Sequence, residues 1–121
     1  MQDRVSPRPE CLQKLLGYWT YEVCLGTEIL QFHSVVRGMD RKQITSLGKH
    51  DAAASTPQGQ QRYANGDVCE PSKRRREATV NVVCGNSDRV IDVGEPEACR
   101  YIINVELKSA CPPADAQAQP A

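Results

Sequence analysis

Six cysteines spread through 121 residues constrain this chain more than any other feature. They stand at Cys11, Cys24, Cys69, Cys84, Cys99 and Cys111. No Cys-x-x-Cys pair occurs, and no His lies at ligand spacing from a cysteine pair, so the pattern does not read as a zinc site and no metal is expected. An even number at wide spacing reads as three disulfides formed in an oxidising compartment. The competing reading, a cytosolic chain with six reduced thiols, fits less well because such chains seldom carry this pattern. Spacing alone leaves the pairing open. Each bridge would contribute about 3 kcal/mol. That matters in a chain with one Trp and one Phe, whose core must lean on Val, Ile and Leu.

The length suits one domain with a single core. Lys+Arg and Asp+Glu are equal at 15 each, which gives no basic excess for nucleic-acid binding. No run of 18 apolar residues suggests a membrane span, so no membrane insertion is expected. The first nine residues, Met-Gln-Asp-Arg-Val-Ser-Pro-Arg-Pro, contain no apolar stretch of the signal-peptide kind. Set beside the cysteines, this predicts a domain excised from a longer secretory-pathway protein.

Residues 1–10 and 113–121 read as disordered tails around a domain at 11–112. Cys11 to Leu16 is a short apolar lead-in that Gly17 interrupts. Trp19, Tyr21 and Val23 then alternate with Thr20, Glu22 and Cys24 as in a strand. Gly26 marks a turn, and a return strand follows at Ile29 to Phe32. From 34 to 62 the pattern fades into a polar, Pro- and Gly-punctuated stretch that reads as a long loop, with one short strand around Gln43 to Leu47. Order returns after the Asn65-Gly66 turn signal. Ala78 to Cys84, Arg89 to Val93 and Arg100 to Leu107 alternate as strands. Gly94 to Cys99 reads as a bend around Pro96. Without a convincing amphipathic helix, the fold class is all-β, a sandwich or flattened barrel.

Signatures of catalysis are missing. The chain has no Gly-x-Ser-x-Gly, no His-Glu-x-x-His, and neither a phosphate nor a dinucleotide loop. His33 lacks a partner to orient it as a base. Glu95 and Glu97 are two close carboxylates, but they flank one proline and nothing distinguishes an acid from a nucleophile. The run Lys73–Arg76 reads as a solvated basic loop. The chain is expected to be a binding module, not an enzyme, and to use no cofactor.

Four separated motifs carry a family resemblance. They are Tyr18-Trp-Thr-Tyr-Glu-Val-Cys24; Gln31-Phe-His33; Gly66-Asp-Val-Cys69 followed by Arg76-Glu and a strand ending at Cys84; and Glu95-Pro-x-x-Cys-x-Tyr101, closed by Cys111-Pro. In this order, and in register with six cysteines from 11 to about 112, they resemble the mannose 6-phosphate receptor homology (MRH) domain of P-type lectins. The hairpin is most similar to erlectin-type lectins of endoplasmic-reticulum quality control. The resemblance implies a flattened β-barrel of two antiparallel sheets, with bridges Cys11–Cys24, Cys69–Cys99 and Cys84–Cys111.

It also implies a mannose site at Gln31, Arg76, Glu95 and Tyr101. The chemistry suits a ring of vicinal hydroxyls: an amide that both donates and accepts, a rigid fork of donors, a carboxylate and a phenol. Among neighbours of the same type, Arg76 is preferred to Arg74 and Arg75 for its spacing from Cys84, and Glu95 to Glu97 for the Glu-Pro order. In the family, Gln and Arg address the 2-hydroxyl, and Glu and Tyr the 3- and 4-hydroxyls. Tyr18 and Trp19 stand where some of these lectins carry two tryptophans, a platform for the second sugar of an α1,6-linked pair. No phosphate-binding set matches. The implied ligands are trimmed high-mannose N-glycans on misfolded glycoproteins in the endoplasmic-reticulum lumen. The implied protein partner is a ubiquitin-ligase complex reached through the parent protein. The alternatives are a regulatory domain of the glucosidase II β type and a protein-interaction module without sugar binding.

Overall fold

The computed structural model describes residues 11–35, 40–55, 59–70 and 72–112. The tails expected at 1–10 and 113–121 lie outside them. The chain forms strands β1 (Cys11–Leu16), β2 (Trp19–Cys24), β3 (Glu28–Ser34), β4 (Arg41–Asp51), β5 (Gln60–Ala64), β6 (Val68–Cys69), β7 (Arg74–Arg75), β8 (Glu77–Cys84), β9 (Arg89–Glu97) and β10 (Arg100–Leu107). Among the described residues, helix is limited to two 3-10 turns, Ala52–Ala54 and Lys108–Ala110.

Eight strands make one sheet in the order β1-β2-β3-β4-β5-β8-β10-β9, and β6 pairs with β7 in a separate ribbon. The edge strands β1 and β9 come into contact, so the sheet curls into a nearly closed barrel. This refines the expected two antiparallel sheets: the hydrogen-bonded ladder is continuous. One neighbouring pair, β8 with β10, is parallel. A parallel pair needs a crossover, and β9 supplies it by running back along the far side of β10.

All three disulfides join the pairs that the family implies, Cys11–Cys24, Cys69–Cys99 and Cys84–Cys111. The first links cross-strand partners, so the lead-in is itself an edge strand. The second ties the β6–β7 ribbon to the β9–β10 turn.

The segment expected as a loop at 34–62 instead contains the 11-residue β4 and the start of β5. The reason is geometric. Gln43 has a left-handed φ of 56°. Two register shifts interrupt the pairing of β4 with β3, one of them leaving Leu47 as the extra residue of a bulge. The period-2 pattern is therefore broken, and only Ser46, Leu47 and Gly48 are buried. The expected short strand around Gln43 to Leu47 lies within β4. Gly48 is required here: with φ +148°, a Cβ on it would fall 2.7 Å from the Tyr63 carbonyl carbon.

The bend expected at Gly94 to Cys99 is also corrected, because β9 runs through Pro96 to Glu97. Proline is tolerated there because β9 is an edge strand and carries a register shift at that point.

The inward face follows the alternation. Val23, Ile29, Leu47, Tyr63, Ala78, Val80, Val90, Tyr101, Ile103 and Val105 form one buried cluster. Tyr63 crosses the interior so that its hydroxyl accepts the Gly26 N–H at 2.9 Å and donates to the Gln61 side-chain oxygen. Burial pushes its phenol above the ordinary value.

Candidate functional site

At one end of the barrel the inward face changes from apolar to polar without losing its alternation. On β2 the series Val23, Tyr21, Trp19 runs from the core outward, and on β3 the series Ile29, Gln31, His33 does the same. Val23 faces Ile29 and Tyr21 faces Gln31 in the cross-strand register. Gln31 is buried, and its Nε2 donates to the Tyr21 hydroxyl at 3.1 Å.

The other half comes from β8, β9 and β10. Tyr101 is paired with Ala78 in the parallel ladder, and Arg76 lies two residues before Ala78 on the same face. The Arg76 Nη1 donates to the Tyr101 hydroxyl at 2.8 Å and touches the Cys99 Sγ at 3.4 Å. The backbone fixes Arg76 from both sides: its N–H donates to the Asp67 carbonyl, and its carbonyl accepts from Gly66. Its Nε is buried and has no hydrogen-bond partner among the described residues.

Glu95 is aimed by the irregularity in β9. Arg100 pairs with Glu97 and Ile102 with Gly94, so Glu95 and Pro96 together oppose Tyr101 in a bulge. The Glu95 Oε2 accepts the Cys99 N–H at 2.7 Å, while the residue stays open to solvent. Cys99 itself holds a left-handed φ of 67° in the turn.

Electrostatics joins these groups. Burial pushes the Tyr101 phenol above its ordinary value, the Arg76 guanidinium pulls it down, and Glu95 and then Tyr21 push it up. Gln31, Arg76, Glu95 and Tyr101, far apart in sequence, thus meet through Tyr21 and Cys99. Tyr21 was not singled out in the sequence. The available signal was its parity with Trp19 and its place across the hairpin from Gln31.

Trp19 shares the parity of Tyr21 and is half-buried next along the strand. Tyr18 is exposed and engaged differently. Its ring lies flat on His33, with centroids 3.8 Å apart, and meets Trp19 edge-on at 4.9 Å. Its hydroxyl donates to the Gln43 Oε1 at 2.6 Å. The structure therefore joins Tyr18 to Trp19 and His33 at the rim, with no direct contact to the Arg76–Tyr101 pair.

A cavity of about 230 Å³ opens between Arg62, Glu77, Ile102 and Arg100, with Tyr101 at its margin. Its charges are already matched, Glu77 lying 3.0 Å from Arg100 and 3.6 Å from Arg62.

The family model described as glucosidase II beta subunit-like protein matches residues 6–119. Human Protein OS-9 is 32% identical over an alignment that covers 84% of this chain and 18% of that protein. Human Endoplasmic reticulum lectin 1 is 29% identical, with 84% of this chain and 26% of that protein covered. The chain thus spans about a quarter or less of these two relatives. Among solved structures, the MRH domain of glucosidase II beta bound to mannose superposes with a TM-score of 0.66 at 24% identity, covering 84% of this chain and 93% of that one. The MRH domain of Yos9 complexed with alpha3,alpha6-Man5 gives 0.66 at 26% identity, covering 84% and 76%. A match through the whole described structure, together with this shared fold, shows that the chain belongs to the glucosidase II beta subunit-like family and is an MRH-type domain.

Proposed function

We propose that this domain is a lectin for terminal mannose on trimmed high-mannose N-glycans, and that it catalyses no reaction. The observation that carries the reading is the chain of contacts that links Gln31, Arg76, Glu95 and Tyr101: Gln31 to Tyr21 at 3.1 Å, Arg76 to Tyr101 at 2.8 Å and to Cys99 at 3.4 Å, and Glu95 to the Cys99 N–H at 2.7 Å. Gln31 and Arg76 are assigned to the sugar 2-hydroxyl, and Glu95 and Tyr101 to the 3- and 4-hydroxyls. Arg76 can donate from its remaining N–H groups, Glu95 only accepts, and the amide and phenol can do either. A shallow polar site buries little apolar area, so a Kd of about 10 μM to 1 mM is expected.

The proposed location is the endoplasmic-reticulum lumen, and the proposed role is sorting of misfolded glycoproteins for degradation. One relative supports the location and the sugar binding by its name, human Endoplasmic reticulum lectin 1. Assembly with a ubiquitin-ligase complex through the parent protein belongs to the same proposal. The family description supports a second role for the same site, presenting glycans to a glucosidase II catalytic chain. Co-purification with that chain, or with a ubiquitin ligase, separates the two.

Calorimetric titration with methyl α-mannoside tests the sugar site. Saturable binding that galactoside does not reproduce supports it. Equal binding of both sugars, or of neither, sinks it.

A further inference from the structure

The basic run divides in two as the chain passes from β7 to β8. Arg76 turns inward to Tyr101, whereas Arg74 and Arg75 stay exposed on β7. The Cys69–Cys99 bridge holds their ribbon against the β9–β10 turn. Between ribbon and turn lies a groove of about 270 Å³, lined by Ser72, Arg74, Arg75, Glu97, Ala98 and Arg100.

The groove is more basic than the chain that carries it, which is neutral overall. Arg100 is compensated by Glu77 at 3.0 Å and Glu97 at 3.7 Å. Lys73, at the neighbouring turn, is paired with Glu70 at 3.5 Å. The Arg75 guanidinium donates to the Gly66 carbonyl, and among the described residues no carboxylate pairs with either Arg74 or Arg75. Two guanidiniums on a solvent-facing ribbon are thus left for an external anion.

Their arrangement favours one kind of anion. Both side chains line the groove as successive residues of β7. An extended chain with several carboxylates can meet each in turn. The groove is also smaller than the roughly 300–1,000 Å³ usual for enclosing an organic ligand. We propose that the ribbon–turn groove is a docking site for an acidic polypeptide segment of a partner protein, with its carboxylates on Arg74 and Arg75. The mannose site would bind glycan while this face binds protein, and neither would need the other.

The test is an NMR titration of the oxidised, isotope-labelled chain with a Glu/Ser peptide carrying six glutamates, against its Gln/Ser counterpart. At about 20 mM salt, saturable amide shifts are expected in Ser72 to Arg75 and Ala98 to Arg100 with the acidic peptide alone. Affinity should fall several-fold by about 300 mM salt, as the Debye length shortens. Arg74→Glu with Arg75→Glu should weaken binding at least tenfold and leave methyl α-mannoside affinity unchanged. If charge reversal disturbs the fold, Arg74→Ser with Arg75→Ser provides the same reading. Absence of saturable shifts at low salt, or undiminished binding by a folded variant, would overturn the proposal. So would tighter saturation of the same amides by inorganic phosphate, which would point to a small-anion site instead.

Discussion

The Arg76 guanidinium donates to the Tyr101 hydroxyl at 2.8 Å, across 25 residues of sequence, and ties the approach to β8 to the start of its parallel neighbour β10. The bond fixes the guanidinium and moderates the effect of burial on the phenol. Arg76→Ala should therefore weaken mannose binding by about 10- to 150-fold, the range for losing a charged hydrogen bond. Arg76→Lys should recover little, because a point charge does not replace a planar fork. Both losses are read by calorimetry. A second readout is independent of sugar: Arg76 lowers the Tyr101 pKa, so Arg76→Ala should raise it further. NMR titration of labelled tyrosine checks this, and an unmoved or lowered value would contradict the geometry.

Tyr21 holds the Gln31 amide from directly across the hairpin. Tyr21→Phe keeps the ring and removes the acceptor. Mannose affinity should fall by about 2- to 12-fold, corresponding to one ordinary hydrogen bond. The fold should remain, because the hydroxyl lies beyond the apolar cluster. A loss of thermal stability equal to that of Gly48→Val would show that Tyr21 is structural.

Gly48 permits β4 to pass the backbone of Tyr63, and a side chain there would meet carbonyl atoms that cannot rotate away. Gly48→Ala should cost about 1–3 kcal/mol, the range for overpacking a core, and Gly48→Val more. Urea unfolding without reductant measures this.

The β8–β9 turn is closed by the Glu106 carboxylate, which accepts the Asn86 N–H at 2.6 Å, the Ser87 N–H at 3.3 Å and the Arg89 Nε–H at 2.8 Å. These bonds, the Asn86 amide first, hold its pKa below the ordinary carboxylate value. A depressed folded value means that the stabilisation is complete above the unfolded pKa and is lost as pH falls through the folded one. Glu106→Gln should flatten the acid limb of a stability–pH curve between those values and leave the neutral limb parallel. An unchanged acid limb would count against the assignment.

Strands with clean alternation were legible from sequence, and β10 runs from Arg100 to Leu107 as read. The cysteine register and the four motifs also carried the bridges through to the structure. β4 was hidden because its bulge and the left-handed Gln43 destroy the period on which the reading depends. The parallel β8–β10 pairing was hidden for another reason: alternation identifies the face of a residue and not the strand beside it. The same limit concealed Tyr21. Its parity was plain, but its partnership with Gln31 depends on hairpin register, which the turn from Leu25 to Thr27 sets. Glu95 could be chosen over Glu97 only by motif order. What separates them physically is a bulge opposite Tyr101, and no local pattern announces it.

The most direct test of the account is an NMR titration of the oxidised domain with α1,6-mannobiose, run beside α1,2-mannobiose. Saturable shifts are expected at Tyr21, Gln31, Arg76, Glu95 and Tyr101 with the α1,6 sugar, at a Kd of about 10 μM to 1 mM, with Trp19 responding beside them. A matching response to α1,2-mannobiose would keep the lectin and remove its preference for trimmed glycans. No response from a folded sample at millimolar sugar would contradict the central claim.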